Sequence, residues 1–365
     1  MRPAPELARC LQCLFWPGAT GGGVLPHLAA ASSVRHDKYF KPSMEETLMK
    51  LIRTLGLATA ALIVSTGAQA EQKFINVLTG GTSGIYYPLG VALSQQIGKA
   101  LPDAKVSVQS TKASAENLNL LQAGRGEVGF ALADAVSDAW KGDAEAGFKQ
   151  KLDKLRGVAA IYPNYIQIVA SAESGIKTLA DLKGKRVSVG APKSGTELNA
   201  RAVLKAAGIG YEGLAKVEYL PFGESVELIK NRQLDATLQS AGLGVASLRD
   251  LASTMKIVVV PVPADVVQKI GDSAYQQGVV PANTYEGQTT DVPTVAIRNI
   301  LVTHEGVDAD TVYAMLKAMF SNMDAMIAAH SAAKGISLEK AATGLPVPLH
   351  PGAARFYAEA NKAKQ

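Results

Sequence analysis

Asn76-Val77-Leu78-Thr79-Gly80-Gly81-Thr82-Ser83-Gly84 and, about a hundred residues later, Arg186-Val187-Ser188-Val189-Gly190-Ala191-Pro192-Lys193-Ser194-Gly195-Thr196-Glu197 share one design. Each carries an apolar, strand-like run into glycines and hydroxyls and then into a helical pattern. A helix that opens this way aims free backbone N–H groups and a positive dipole end at whatever lies in front of it. Two such mouths, one per half of the chain, can grip one small anion between them.

Around these loops the same order of elements occurs twice. Phe74 to Thr79 reads as a strand, and Leu89, Ala92, Leu93, Gln96 and Ile97 keep one face of the helix that Pro88 opens and Pro102 ends. Lys105 to Gln109 alternates as a strand, Ala115 to Ala123 is helical, and Glu127 to Ala131 is the next strand. The second series is Arg186 to Gly190, a helix from Thr196 to Ala207 closed by Gly208, Lys216 to Leu220, a helix from Glu224 to Asn231, and Leu234 to Leu238. Alternation of this kind predicts an α/β fold with mostly parallel strands.

Ile161 to Ala170 is a long β-rich run placed to carry the chain into a second lobe, and Val292 to Val302 is placed to carry it back. Two crossing strands make a hinge. The expected lobes are therefore 71–165 with 298–365, and 166–297. The tail, Asp308 to Ala328 and Gly352 to Lys362, is helical, and its Val312, Met315, Leu316, Met319 and Met326 read as core packing.

Lys50 and Arg53 precede an apolar run from Leu55 to Val64 and then Ala68-Gln69-Ala70, the order of a secretory signal peptide over 44–70. Ten apolar residues fall short of the ~20 a membrane-spanning helix needs. Cleavage after Ala70 and a periplasmic location are expected, with Met44 or Met49 as the start and 1–43 as a start-site overextension. Cys10 and Cys13 lie in that discarded segment, so the 295 residues from Glu71 contain no cysteine and can form no disulfide or thiolate site. The whole chain holds 37 Lys and Arg against 32 Asp and Glu; the first 70 residues take 7 and 4 of these, leaving 30 and 28. That balance gives no reason to expect a nucleic-acid partner.

Enzyme signatures are missing. His304, His330 and His350 show no metal-ligand spacing, there is no G-x-S-x-G elbow, and neither glycine loop completes a P-loop or a G-x-G-x-x-G. His350, in Pro346-Val347-Pro348-Leu349-His350-Pro351, reads as structural. No catalytic residue, metal or other cofactor is expected. An exported hydrolase using a hydroxyl of the first loop is the remaining enzymatic alternative.

Candidate ligand-binding residues come from strand ends and helix starts, where open α/β sheets bind their ligands. They are Gly81, Thr82, Ser83, Tyr86 and Tyr87 in the first loop, Asn117 and Asp134 after the next strands, Ser194, Gly195 and Thr196 in the second loop, and Gln239 and Ser240 beyond its last strand. Ser194 with Glu197 also has the spacing of a capping box, and Asn117 and Asp134 could equally be caps. A carboxylate from Asp134 in the pocket would demand an amine on the ligand, which describes an amino acid. With Asp134 as a cap, a simple dicarboxylate fits.

Leu78 to Gly90, Glu116-Asn117-Leu118-Asn119-Leu120-Leu121, Gly195-Thr196-Glu197-Leu198-Asn199-Ala200-Arg201 and Leu345 to Ala353 together closely resemble the TAXI family of solute-binding proteins, over essentially the whole chain from Glu71. The resemblance implies a two-lobed periplasmic-binding-protein fold of type II. It also implies capture of a small organic acid, such as glutamate, another amino acid or a dicarboxylate, and its delivery to the membrane permease of a tripartite ATP-independent periplasmic (TRAP) transporter. The chain departs from many relatives at Ala131-Leu132-Ala133-Asp134, where they carry a polar residue just before the Asp. A subunit of an ATP-driven importer for another small anion is the alternative within binding proteins, and a sensor is a third.

Overall fold

The computed structural model describes residues 43–45, 48–49 and 72–362. The apolar run of the expected signal peptide, its cleavage site, Cys10 and Cys13 lie outside the described residues. Among the described residues no helix is long and apolar enough to cross a membrane.

The chain runs β1 (Phe74–Leu78), α1 (Tyr86–Ala100), β2 (Lys105–Gln109), α2 (Ser114–Gln122), β3 (Val128–Leu132), α3 (Ala133–Lys141) and the long β4 (Leu155–Ser171). The second series is β5 (Arg186–Ser188), α4 (Gly195–Ala206), β6 (Lys216–Glu218), α5 (Phe222–Lys230), β7 (Ala236–Ala241), α6 (Ala246–Thr254), β8 (Ile257–Val260), α7 (Ala264–Ile270), β9 (Gln276–Val280) and β10 (Val292–His304). Helices α8 (Ala309–Ser321), α9 (Met323–Ala329), α10 (Leu338–Ala341) and α11 (Pro351–Lys362) finish it.

The strands order as β2-β1-β3-β10-β4-β7-β5-β6, with β8 on β4 and β9 on β10. β1 is parallel to β2 and β3, and β5 is parallel to β6 and β7, so each series builds its own parallel sheet. The antiparallel β4 and β10 join them. β4 pairs with β10 from Leu155 to Tyr165 and with β7 from Tyr165 to Ala170, so one continuous strand serves both sheets. Its 17 residues exceed the expected Ile161–Ala170 at both ends because near-unbroken apolar character continues in either sheet.

Helix α1 shows how the pattern becomes structure. Leu89, Leu93 and Ile97 recur at helical spacing, and each is at most 2% exposed. They join Val312, Met315 and Met319 of α8 in one core cluster, and burying each such side chain contributes roughly 1.5–3 kcal/mol. The tail helix expected from Asp308 to Ala328 is divided at Asn322, whose side chain accepts from the Ala325 N–H and caps α9. Among the described residues α3, α6, α7 and α10 were not anticipated. α3 follows β3 with no turn residue between them, and α6 and α7 are short.

Candidate functional site

A cavity of about 450 Å³ lies where the parallel strands of both sheets end. Four helices start on its wall. α1 begins at Tyr86, α2 at Ser114, α4 at Gly195 and α5 at Phe222, and all four of these residues line the cavity. They are 15, 9, 12 and 9 residues long, so each brings a full macrodipole. No side-chain cap occupies the starts of α1, α2 and α5. Two of the four belong to each sheet. Lys112 and Glu224 are the charged residues among those described on the wall, and both are exposed.

Gly81, Thr82, Ser83 and Tyr86 of the first loop line the cavity, as do Ser194, Gly195, Thr196 and Ser240. Ser83 Oγ accepts from the Gly223 N–H at 3.1 Å, tying the first loop to α5 across the cleft. A second crossing point is Gly195, where a Cβ would lie 2.5 Å from Ser114 Oγ and 2.7 Å from Leu132 Cδ1. Only glycine lets α4 approach α2 this closely. The cleft is closed at both points.

Ser194 Oγ accepts from the Glu197 N–H at 3.1 Å, which is half of the expected capping box. The other half does not form. The Ser194 N–H donates to Ala191 O, and the Glu197 carboxylate turns to Arg201 at 2.7 and 2.8 Å and to the Tyr211 hydroxyl.

Four candidates do not line the cavity: Tyr87, Asn117, Asp134 and Gln239. Tyr87 follows Tyr86 on a helix, about 100° around the axis, and is half-buried elsewhere. Gln239 follows the alternation of β7, which sends successive side chains to opposite faces; its Oε1 accepts from Ser247 Oγ at 2.7 Å. Asn117 is no cap. It is wholly buried inside α2, donates to Thr79 O at 2.7 Å and Phe130 O at 2.8 Å, and accepts from Thr111 Oγ1 at 2.7 Å. Its work is to hold β1, β3 and the loop before α2 together. That loop is strained, since Ala113 takes φ 72° and ψ −142°.

Asp134 is the second residue of α3 and 1% exposed. Its Oδ2 accepts from Asn199 Nδ2 of α4 at 2.6 Å and from Tyr275 Oη at 2.7 Å, while Oδ1 is buried without a partner. Burial, opposed by hydrogen bonding from Tyr275, the Ala135 backbone and Asn199 and reinforced by Asp272, raises its pKa to about 6. Asp138, one turn further along α3, is pushed up to about 7 by burial and by the charges of Asp134, Asp143 and Asp272.

A polar ladder that no spacing in the chain marks crosses β4 and β10. Tyr86 Oη donates to Asn299 Oδ1. Asn299 Nδ2 donates to Tyr162 O and to Asn164 Oδ1, each at 2.8 Å, and Asn164 Nδ2 donates to Ser240 O at 2.9 Å. Asn164 and Asn299 are polar positions within apolar β runs, which is the one signal that could have marked them. Tyr86 also stacks on Phe130 with ring centroids 5.1 Å apart.

The three histidines among the described residues make local backbone contacts. His350 is buried, with Nε2 2.9 Å from Val307 O and Nδ1 accepting from the Gly352 N–H; His304 and His330 accept from backbone N–H groups two residues on. Among the described residues no group of His, Cys, Asp and Glu is arranged to hold a metal ion.

Among solved structures the chain is similar to PhnD1 from Prochlorococcus marinus (MIT 9301), crystallised with methylphosphonate. The TM-score is 0.51 at 11% identity, over 80% of this chain and 100% of that one. It is also similar to a protein described as a periplasmic transporter, with TM-score 0.50 and 14% identity over 80% and 94% of the two chains. The alkanesulfonate-binding protein SsuA from Xanthomonas axonopodis pv. citri aligns at 16% identity and TM-score 0.44, over 79% of this chain and 84% of that one. The fold is that of the periplasmic binding proteins, with two α/β lobes joined by crossing strands. A family model spans residues 77–360, from the first strand to the last helix, and the chain therefore belongs to the NMT1-like family.

Proposed function

We propose that this protein is an extracytoplasmic solute-binding protein that captures a small organic anion between its lobes and performs no chemistry on it. The observation that carries the reading is the convergence of four helix N-termini, two from each parallel sheet, on one cavity without a buried charged side chain. Backbone N–H groups and dipole ends favour negative charge there. Hydroxyls and glycines supply further hydrogen bonds and room for close approach. The binding residues on this reading are Gly81, Thr82, Ser83, Tyr86, Ser194, Gly195, Thr196 and Ser240, with 71–165 and 298–365 as one lobe and 166–297 as the other.

A carboxylate is the preferred anion. Asp134 was the residue that would have called for an amine on the solute, and its hydrogen bonds to Asn199 and Tyr275 employ it elsewhere. This favours an acid without an ammonium group over glutamate. The resemblance to the TAXI family points to a TRAP permease as the partner, and the pattern from Lys50 to Ala70 points to export by a cleaved signal peptide and a periplasmic location.

A thermal-shift and calorimetric screen tests the reading, with carboxylates, phosphonates, sulfonates and amino acids as separate arms. Binding of at least one carboxylate with a melting-temperature rise is expected, and silence from every anion would sink it. Uptake into proteoliposomes with the candidate permease should require a sodium gradient; uptake driven by ATP would reassign the partner.

A further inference from the structure

We infer that Phe222, the first residue of α5, is a specificity-determining residue of the cavity and that its ring receives an apolar body of the solute. On this assignment, which rests on the reading above, the solute is a monocarboxylate with a short hydrocarbon chain and not a diacid.

The four helix starts on the wall are not alike. α1 is preceded by the glycines and hydroxyls of Gly81 to Gly84, and α4 opens at Ser194, Gly195 and Thr196. α5 opens instead at Pro221, Phe222 and Gly223. The Gly223 N–H is already given to Ser83 Oγ at 3.1 Å, so what Phe222 adds to the cavity beside it is an aromatic surface. That ring is anchored and still open. It packs against the core cluster that holds Val226 and Ile229 of the same helix, yet it is only half-buried, and Pro221 before it is exposed. Across the cleft it meets the first loop: a Cβ on Gly84 would lie 3.9 Å from its Cδ2 and Cε2, an ordinary contact distance. An apolar ring left part-exposed in a cleft this narrow is surface that an apolar group covers favourably.

Charge on the wall points the same way. Lys112 stands two residues before the start of α2, and Glu224 stands two residues after Phe222 in the first turn of α5. The starts of α2 and α4 adjoin, since a Cβ on Gly195 would lie 2.5 Å from Ser114 Oγ. A carboxylate at that junction faces two helix N-termini, with Lys112 close by in the chain. A second carboxylate at the α5 end would leave water to meet a ring and an acid. An anion that leads with its carboxylate towards α2 and α4 and lays its chain on Phe222 suits both ends.

The test is calorimetry on the full protein with acetate, propionate, butyrate and pentanoate, and with succinate and glutarate as the diacids matched to the last two. Affinity should rise roughly fourfold for each added CH2. Each diacid should bind at least about tenfold weaker than its monocarboxylate partner. Phe222→Ala should flatten the rise to under about twofold per CH2 and leave the affinity for acetate within about twofold of wild type. Phe222→Leu keeps an apolar side chain against the core and should retain most of the rise, which separates loss of the subsite from loss of folding. A ring that served only to pack α5 would instead weaken every acid by the same factor when removed. Such a uniform loss, flat affinities along the series, a diacid that outbinds its partner, or binding confined to anions outside the series overturns the apolar subsite alone. Silence from every anion overturns the solute-binding reading together with it.

Discussion

Replacing Asp134 with Asn should make the protein more stable at neutral pH. The carboxylate is buried with one oxygen unpaired, and its pKa rises from 3.8 to about 6. Below pH 3.8 the group is protonated in folded and unfolded chains alike, and it has no effect on stability. Between 3.8 and 6 the folded protein holds the proton while the unfolded chain releases it, so stability falls as pH rises. Above 6 the full penalty is in place. Two units at 1.36 kcal/mol each give about 3 kcal/mol. An Asn at this position is neutral throughout and can still accept from Asn199 and Tyr275 through its carbonyl. Urea unfolding of wild type and Asp134→Asn at pH 4 and at pH 7.5 reads the difference. The two should match at the lower pH, and the variant should lead by about 3 kcal/mol, or about 5 °C in Tm, at the higher one. Asp138, raised in the same direction, extends the wild-type decline towards pH 7, and Lys141 opposes it. Parallel pH profiles for the two proteins, or a variant weaker at pH 7.5, would refute the reasoning.

Other outcomes follow from single contacts. Ser83→Ala removes the hydrogen bond to the Gly223 N–H across the cleft and should weaken solute binding by roughly two- to tenfold, with little change in the melting temperature of the unliganded protein. Gly195→Ala places a methyl where Ser114 and Leu132 already sit; small-angle scattering should show a more open particle, and calorimetry a loss of binding. Asn299→Ala strips partners from Tyr86 Oη, Tyr162 O and Asn164 Oδ1 and should cost about 3 kcal/mol in chemical denaturation. Ala113→Gly relieves a backbone conformation that L residues rarely adopt and should stabilise by about 1 kcal/mol in the same assay.

The fold was legible where local chemistry and tertiary packing agree. The run from Asn76 to Gly84 marks its strand by apolar character and its loop by glycine, and the helix after it announces a buried face at Leu89, Leu93 and Ile97. α3 was invisible because Ala133 continues β3 directly into a helix, leaving no turn residue to read. At the site, loop residues were identifiable from composition, but orientation was not. Gln239, next to Ser240 on one strand, turns instead to Ser247 on the other side. Asn117 and Asp134 belong to the strand-end class that usually meets a ligand, yet their partners come from residues distant in sequence. Tyr162, Asn164 and Asn299 escaped notice for the same reason, since the register of β4 against β10 and β7 aligns them and no spacing within the chain encodes that register.

The place of β10 in the middle of the sheet bears on the order in which the protein can fold. Leu132 at the end of β3 pairs with Asn299, about 170 residues later, and β4 waits on the other side of the same strand. The first lobe therefore has a gap at its centre until nearly the whole chain is present, and its core cannot close early. Such long-range closure slows folding. On the proposed route of export, a core whose last central strand arrives late would help keep the chain fit for translocation until it is through.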